Sequence, residues 1–84
     1  MAVIEHDLKI WPNYFGPVQS GAKPFEVRKN DRDYQPGHRL RLREWDPNTK
    51  EYTGREVVRV VGYMLRGPAF GIEPDHVVMA LETV

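Results

Sequence analysis

A chain of 84 residues has room for one small domain with a thin core and excludes a second domain. Hydrophobic residues make up 40% and charged residues 29%, which excludes a disordered chain and a bundle of membrane spans. Twelve basic residues balance twelve acidic ones and cysteine is absent, so a uniformly cationic nucleic-acid sheath, a disulfide scaffold, thiolate catalysis and sulfur-based zinc sites are excluded as well.

The opening Met1-Ala2-Val3-Ile4-Glu5-His6-Asp7 has neither a basic leader nor a long apolar stretch, so no secretion signal is expected. Residues 3–10 alternate, with Ile4, His6, Leu8 and Ile10 on one face and Glu5, Asp7 and Lys9 on the other, which is strand periodicity. Pro12 suits the first position of a helix and Gly21 its left-handed end. Between them Tyr14, Phe15 and Val18 share a side, while Gly16-Pro17 predicts a short or kinked helix. Residues 24–29 read as a strand with Phe25 and Val27 turned inward, which places Glu26 and Arg28 together on the opposite face.

Pro36-Gly37 marks a turn, and residues 38–45 alternate as another strand. The segment from Asp46-Pro47 to Gly54 reads as a loop joining two hairpin strands. Residues 55–65 are apolar on both faces, as in a central or barrel-closing strand. Within them the most apolar run, Val57 to Leu65, is broken by Arg59 and too short to span a bilayer. A glycine- and proline-punctuated loop covers 66–74, and Val77 to Leu81 form the last strand. No repeat or linker interrupts the chain, so residues 1–84 are expected to form one cytoplasmic domain without membrane contact. About five strands and one early helix predict an α+β, mainly β, barrel-like fold. A parallel sheet is not expected, because the connections look too short for helical crossovers.

Standard catalytic signatures are missing: there is no phosphate-cradling glycine loop, no His-Glu-x-x-His and no serine elbow. Hydroxyl nucleophiles are scarce, being Ser20, Thr49, Thr53 and Thr83. His6, His38 and His76 lack metal-ligand spacing, so no metal and no cofactor is expected. The densest polar grouping runs from Gly21 to Asp33. Lys29 through Asp33 read as a solvated charged turn. Glu26 and Arg28 share a strand face, where they pair or jointly present an acceptor and a donor fork, and Lys23 arrives beside them from a helix-to-strand turn. That trio suits a polar planar group such as a base edge. Arg39, Arg41, Arg43 and Trp45 also share one face, which either tracks phosphates and stacks a base or forms an outward face of snorkelling arginines. Glu44 lies on the opposite face, at the rim or partly inward. His6 is a core histidine or, near an inward glutamate, part of a cleft lining.

The segments His6-x-Leu8-Lys9-x-Trp11-Pro12-x-Tyr14-Phe15, Gly21-x-Lys23-x-x-Glu26-x-Arg28 and Asn30-Asp31-Arg32 together resemble the ASCH domains of the PUA-like superfamily, in particular a small bacterial and phage branch of unknown function. Leu40-x-Leu42-x-Glu44-Trp45-Asp46-Pro47 and Tyr52-Thr53-Gly54-Arg55 extend the resemblance over nearly the whole chain. It implies a small β-barrel in which a helix caps a cleft, with Lys23, Glu26 and Arg28 facing a ligand, and it implies recognition of RNA or a nucleotide. One ASCH branch hydrolyses N4-acetylcytidine with a lysine, a threonine nucleophile and a glutamate. Lys23 matches that lysine, whereas Glu26 stands where the threonine would be, which leaves Lys23 and Glu26 as weak catalytic candidates. Pro24, His38 and Gly16-Pro17 are smaller departures from the pattern.

The expected function is binding of RNA or a (modified) nucleotide, as a single-stranded or flipped base. Lys23 and Arg28 would neutralise phosphate or donate to carbonyl oxygens, and Glu26 would accept from an exocyclic amine. Trp11 or Trp45 would stack, and His6 and Glu44 would complete the cleft. Two alternatives are an amidohydrolase on an acylated nucleoside and a small phage-type interaction module. The latter would dock on a protein partner through Gly67-Pro68-Ala69-Phe70-Gly71-Ile72.

Overall fold

The computed structural model describes residues 3–84. The reading of the amino terminus falls partly on Met1 and Ala2, which lie outside the described residues. Alternation sets the inner surface: Leu8 and Ile10 of β1 (Glu5–Ile10) and Leu40 and Leu42 of β3 (Arg39–Asp46) are buried. Helix α1 (Pro12–Ser20) starts at a proline whose missing N–H would have had no acceptor in the first turn. It ends at Gly21, held in the left-handed region at φ 88°, with the Gly21 N–H donating to Val18 O at 3.2 Å. Phe15 and Val18 pack inward from this helix, and Tyr14 stays half-exposed. They join Tyr34, Val61, Val77 and Met79 in the core.

The remaining strands are β2 (Phe25–Lys29), β4 (Glu51–Arg66) and β5 (His76–Thr83), and the sheet order is β1-β3-β4-β5-β2. Register irregularities between Arg43 and Trp45 and between Val61 and Met64 help the sheet curl into a half-barrel. β1 and β2 are its edges, and among the described residues no ladder joins them. Two arginines span the gap instead. Arg28 Nη2 donates to Lys9 O at 2.6 Å and Arg32 Nη1 to Asp7 O at 2.8 Å. These carbonyls belong to alternate residues of β1 and point away from β3, so the arginines satisfy an edge that would otherwise template pairing with another chain.

Four expectations are corrected. β1 and β3 pair in parallel, Glu5 opposite Arg39 through Ile10 opposite Glu44. The crossover is possible because both α1 and β2 lie between them in the chain. Second, β2 presents its faces the other way round: Phe25 and Val27 are 41% and 49% exposed, whereas Glu26 is 4% exposed. Third, β4 begins at Glu51 and runs 16 residues, so the hairpin loop is shorter than Asp46 to Gly54. Fourth, β1 begins at Glu5 and Ile4 is 52% exposed, so Ile4 does not extend the inner row. Among the described residues no helix is long and apolar enough to cross a membrane.

Candidate functional site

The end of β1, the first turn of α1 and β2 enclose a cleft of about 630 Å³, within the range of small-molecule sites. Its polar wall is built on Glu26. The carboxylate sits on the inner face of an edge strand, where water is largely excluded, and a charge in that position requires partners. Both of its oxygens have them. Lys23 Nζ donates to Oε1 at 3.0 Å, and Arg28 Nε donates to Oε2 at 2.8 Å, with Arg28 Nη2 also 2.8 Å from Oε2.

Local structure delivers both cations. The turn after α1 is closed by Lys23 N donating to Pro17 O at 3.0 Å, which brings the Lys23 stem over β2. There Nζ also donates to Phe25 O at 3.2 Å and lies 5.0 Å and 5.5 Å from the ring centres of Phe25 and Tyr14. Arg28 is two positions beyond Glu26 on the same face and is held from the far side by Lys9 O. The trio therefore has two cations on one carboxylate and one net positive charge. Among the described residues one N–H of Lys23 and both N–H groups of Arg28 Nη1 have no protein acceptor.

The lining is also aromatic: Trp11 and Tyr14 line the cleft and are 51% and 50% exposed, with Tyr14 next to Lys23. Trp11 occupies the N-cap of α1 and makes no side-chain cap, and the first turn carries no acidic residue. The other end of the helix is closed by Arg59, whose Nη2 donates to Gln19 O at 3.2 Å and Val18 O at 3.4 Å.

Of the residues singled out from the sequence, Lys23, Glu26, Arg28 and Trp11 meet at this cleft. His6 lies elsewhere: its Nε2 is 2.9 Å from His38 Nδ1 and its ring packs edge-on to Tyr34. Glu44 is buried on β3, accepting from Thr53 Oγ1 at 2.7 Å, with Arg55 3.7 Å away. It ties the β3–β4 hairpin together and does not line the cleft. Trp45 is also outside the lining and carries Lys9 Nζ 4.6 Å above its ring. Two of the three stripe arginines are taken up by carboxylates: Arg41 makes a two-pronged pair with Glu56 at 3.0 Å, and Arg43 lies 3.6 Å from Asp7. Arg39 also lies outside the cleft lining. Phe70 is 90% exposed at the tip of its loop, with Ile72 half-buried beside it. Sequence reasoning missed Asn13 and Tyr14 as lining residues. Tyr14 was legible as the residue one helical turn after Trp11.

Set against known families, residues 5–81 match the model of a domain of unknown function, DUF3850. The chain belongs to the DUF3850 family. It is similar to an uncharacterized 12.9 kDa protein in the GpA 3'region of Escherichia phage P2, with 42% identity over 52 residues. That match covers 62% of this chain and 46% of the phage protein. The DUF3850 match spans β1 through most of β5 and so includes every element that builds the cleft.

Proposed function

We propose that this DUF3850 chain is a nucleotide- or RNA-binding module of the PUA-like, ASCH type, and that the cleft takes a single-stranded or flipped nucleotide. One observation carries the reading: two cations anchored on a buried carboxylate line one cleft of about 630 Å³ together with two half-exposed aromatic side chains. Trp11 and Tyr14 supply a stacking surface, worth about 1–3 kcal/mol per base in single-strand binders. Lys23 and Arg28 supply donors to oxygen. Among the described residues the lining contains no serine or threonine, which favours binding over acyl transfer to an aliphatic hydroxyl.

Titration of mononucleotides, modified nucleosides and short single-stranded RNAs tests the reading, with wild type, Lys23→Ala and Trp11→Ala compared by calorimetry. Saturable binding that weakens by about tenfold or more in both variants is expected. Equally weak binding by all three proteins removes the cleft as the site.

A further inference from the structure

We infer that Lys23 and Arg28 form a phosphate subsite within the cleft, with Glu26 as the residue that positions them and not as a reader of base amines. The inference rests on the nucleotide-binding reading above and specifies which part of the ligand the trio meets. A carboxylate that reads an exocyclic amine needs an oxygen turned to the ligand. Here Oε1 is occupied by Lys23 and Oε2 by Arg28, and Glu26 is 4% exposed. What the trio offers outward is donors alone: the remaining N–H of Lys23 and the two of Arg28 Nη1. Donors bearing one net positive charge select an oxyanion, and a guanidinium beside an ammonium suits phosphate geometry.

Glu26 does two things in this arrangement. It prevents Lys23 and Arg28 from repelling each other apart, and it fixes Arg28 Nε so that Nη1 is the part of the fork left free. The anchoring of Arg28 on Lys9 O and of Lys23 on Phe25 O fixes both cations before any ligand arrives. The first turn of α1 borders the same cleft with no capping side chain and no acidic residue, so nothing there opposes an anion.

A phosphate of this kind comes from a free mononucleotide or from the phosphodiester of a single strand, and two pairs of probes separate these sources. The first pair is cytidine against cytidine 5'-monophosphate. The second is a trinucleotide with normal linkages against the same trinucleotide with uncharged methylphosphonate linkages. The phosphate-bearing member of at least one pair is expected to bind about tenfold tighter or more, with affinity falling as salt rises. Preference in the first pair identifies a terminal phosphate, and preference only in the second identifies a backbone phosphate.

The preference should shrink in Lys23→Met and in Arg28→Gln, whichever of the two folds with wild-type cooperativity. Glu26→Gln should leave the ratio of cytidine to uridine monophosphate affinities unchanged. Equal binding of charged and uncharged members in both pairs overturns the phosphate subsite and leaves the cleft reading standing. A shift of the cytidine-to-uridine ratio by about tenfold in Glu26→Gln overturns it also, because it makes Glu26 an amine acceptor. Absence of binding by every probe overturns the cleft reading itself.

Discussion

The cleft and the arginine stripe of β3 are both rich in cations, yet they differ in how deeply the carboxylates that hold those cations are buried. On the stripe, Arg41 commits Nε and Nη2 to Glu56, and Arg43 is shared between Asp7 at 3.6 Å and Glu56 at 3.7 Å while lying 3.9 Å over the Tyr52 ring. Two carboxylates there answer two of the three arginines, and all of these pairs are solvent-exposed. In the cleft one buried carboxylate answers two cations, and all three side chains belong to residues that line an open hollow. Burial of the shared carboxylate and the cleft beside it separate a ligand-directed cluster from a solvent-exposed one. The density of arginine along the strand does not.

The largest way to break this difference is to remove the helix that borders the cleft. Phe15 is fully buried beneath α1, and Phe15→Ala should lower stability by about 3–5 kcal/mol in urea unfolding. The Arg41–Glu56 pair joins β3 to β4 and does not need Phe15 as a partner. The sharper contrast is between carboxylates. Glu26→Ala should cost about 2 kcal/mol, because two partly buried cations lose their shared partner. Glu56→Ala should give no resolvable change in melting temperature, since its pairs are solvent-exposed. Equal destabilisation by the two substitutions would show that the trio is no more desolvated than the stripe. A smaller effect is expected from Gly21→Ala. Space is available around Gly21, but φ 88° penalises any side chain, and the cost should be about 1 kcal/mol. That variant also disturbs the turn delivering Lys23, so its affinity for nucleotides should fall more than its stability alone implies.

Much of this architecture was legible in the residues. Pro12 and Gly21 bounded α1 correctly because proline and left-handed glycine act through local backbone geometry, which tertiary context does not override. Glu26 and Arg28 were placed on one face by alternation alone. The orientation of that face was not legible: Phe25 and Val27 are the more apolar pair, yet they face outward. On an edge strand the inner face borders the cleft, and the two cations make a carboxylate acceptable there. Both cations are close in sequence, but alternation carries no information about charge compensation. The parallel β1–β3 pair was hidden for a different reason. Its crossover contains a strand, β2, that travels to the opposite edge of the sheet. Tyr34, which follows the charged turn of Lys29 through Asp33 and drew no reading from the sequence, proves fully buried. Its backbone N–H is held by Asn30 Oδ1 at 3.0 Å, a contact that only the folded loop creates.

The smallest expected effect concerns His6, which lies away from the cleft and so provides a control for it. Its Nε2 is 2.9 Å from His38 Nδ1, and His38 Nδ1 also faces the Gln35 N–H at 3.3 Å. His38 Nδ1 is therefore the acceptor, and the shared proton resides on His6 Nε2. Burial, followed by repulsion from His38 and Arg32, holds the His6 pKa below its ordinary value of 6.5. In the unfolded chain His6 returns to that value, so near and below pH 6.5 the unfolded state takes up the proton first. The contribution of His6 is thus complete above pH 6.5 and is lost progressively as pH falls toward the lowered folded-state pKa. Melting temperature should decline over that window in wild type and decline less in His6→Gln, while NMR should show His6 titrating below 6.5 in the folded protein. Because His6 is absent from the cleft lining, nucleotide affinity measured on the folded fraction should not follow its titration. If affinity does follow it, the two regions are coupled through Arg32, whose charge acts on His6 and which donates to the β1 edge at Asp7 O.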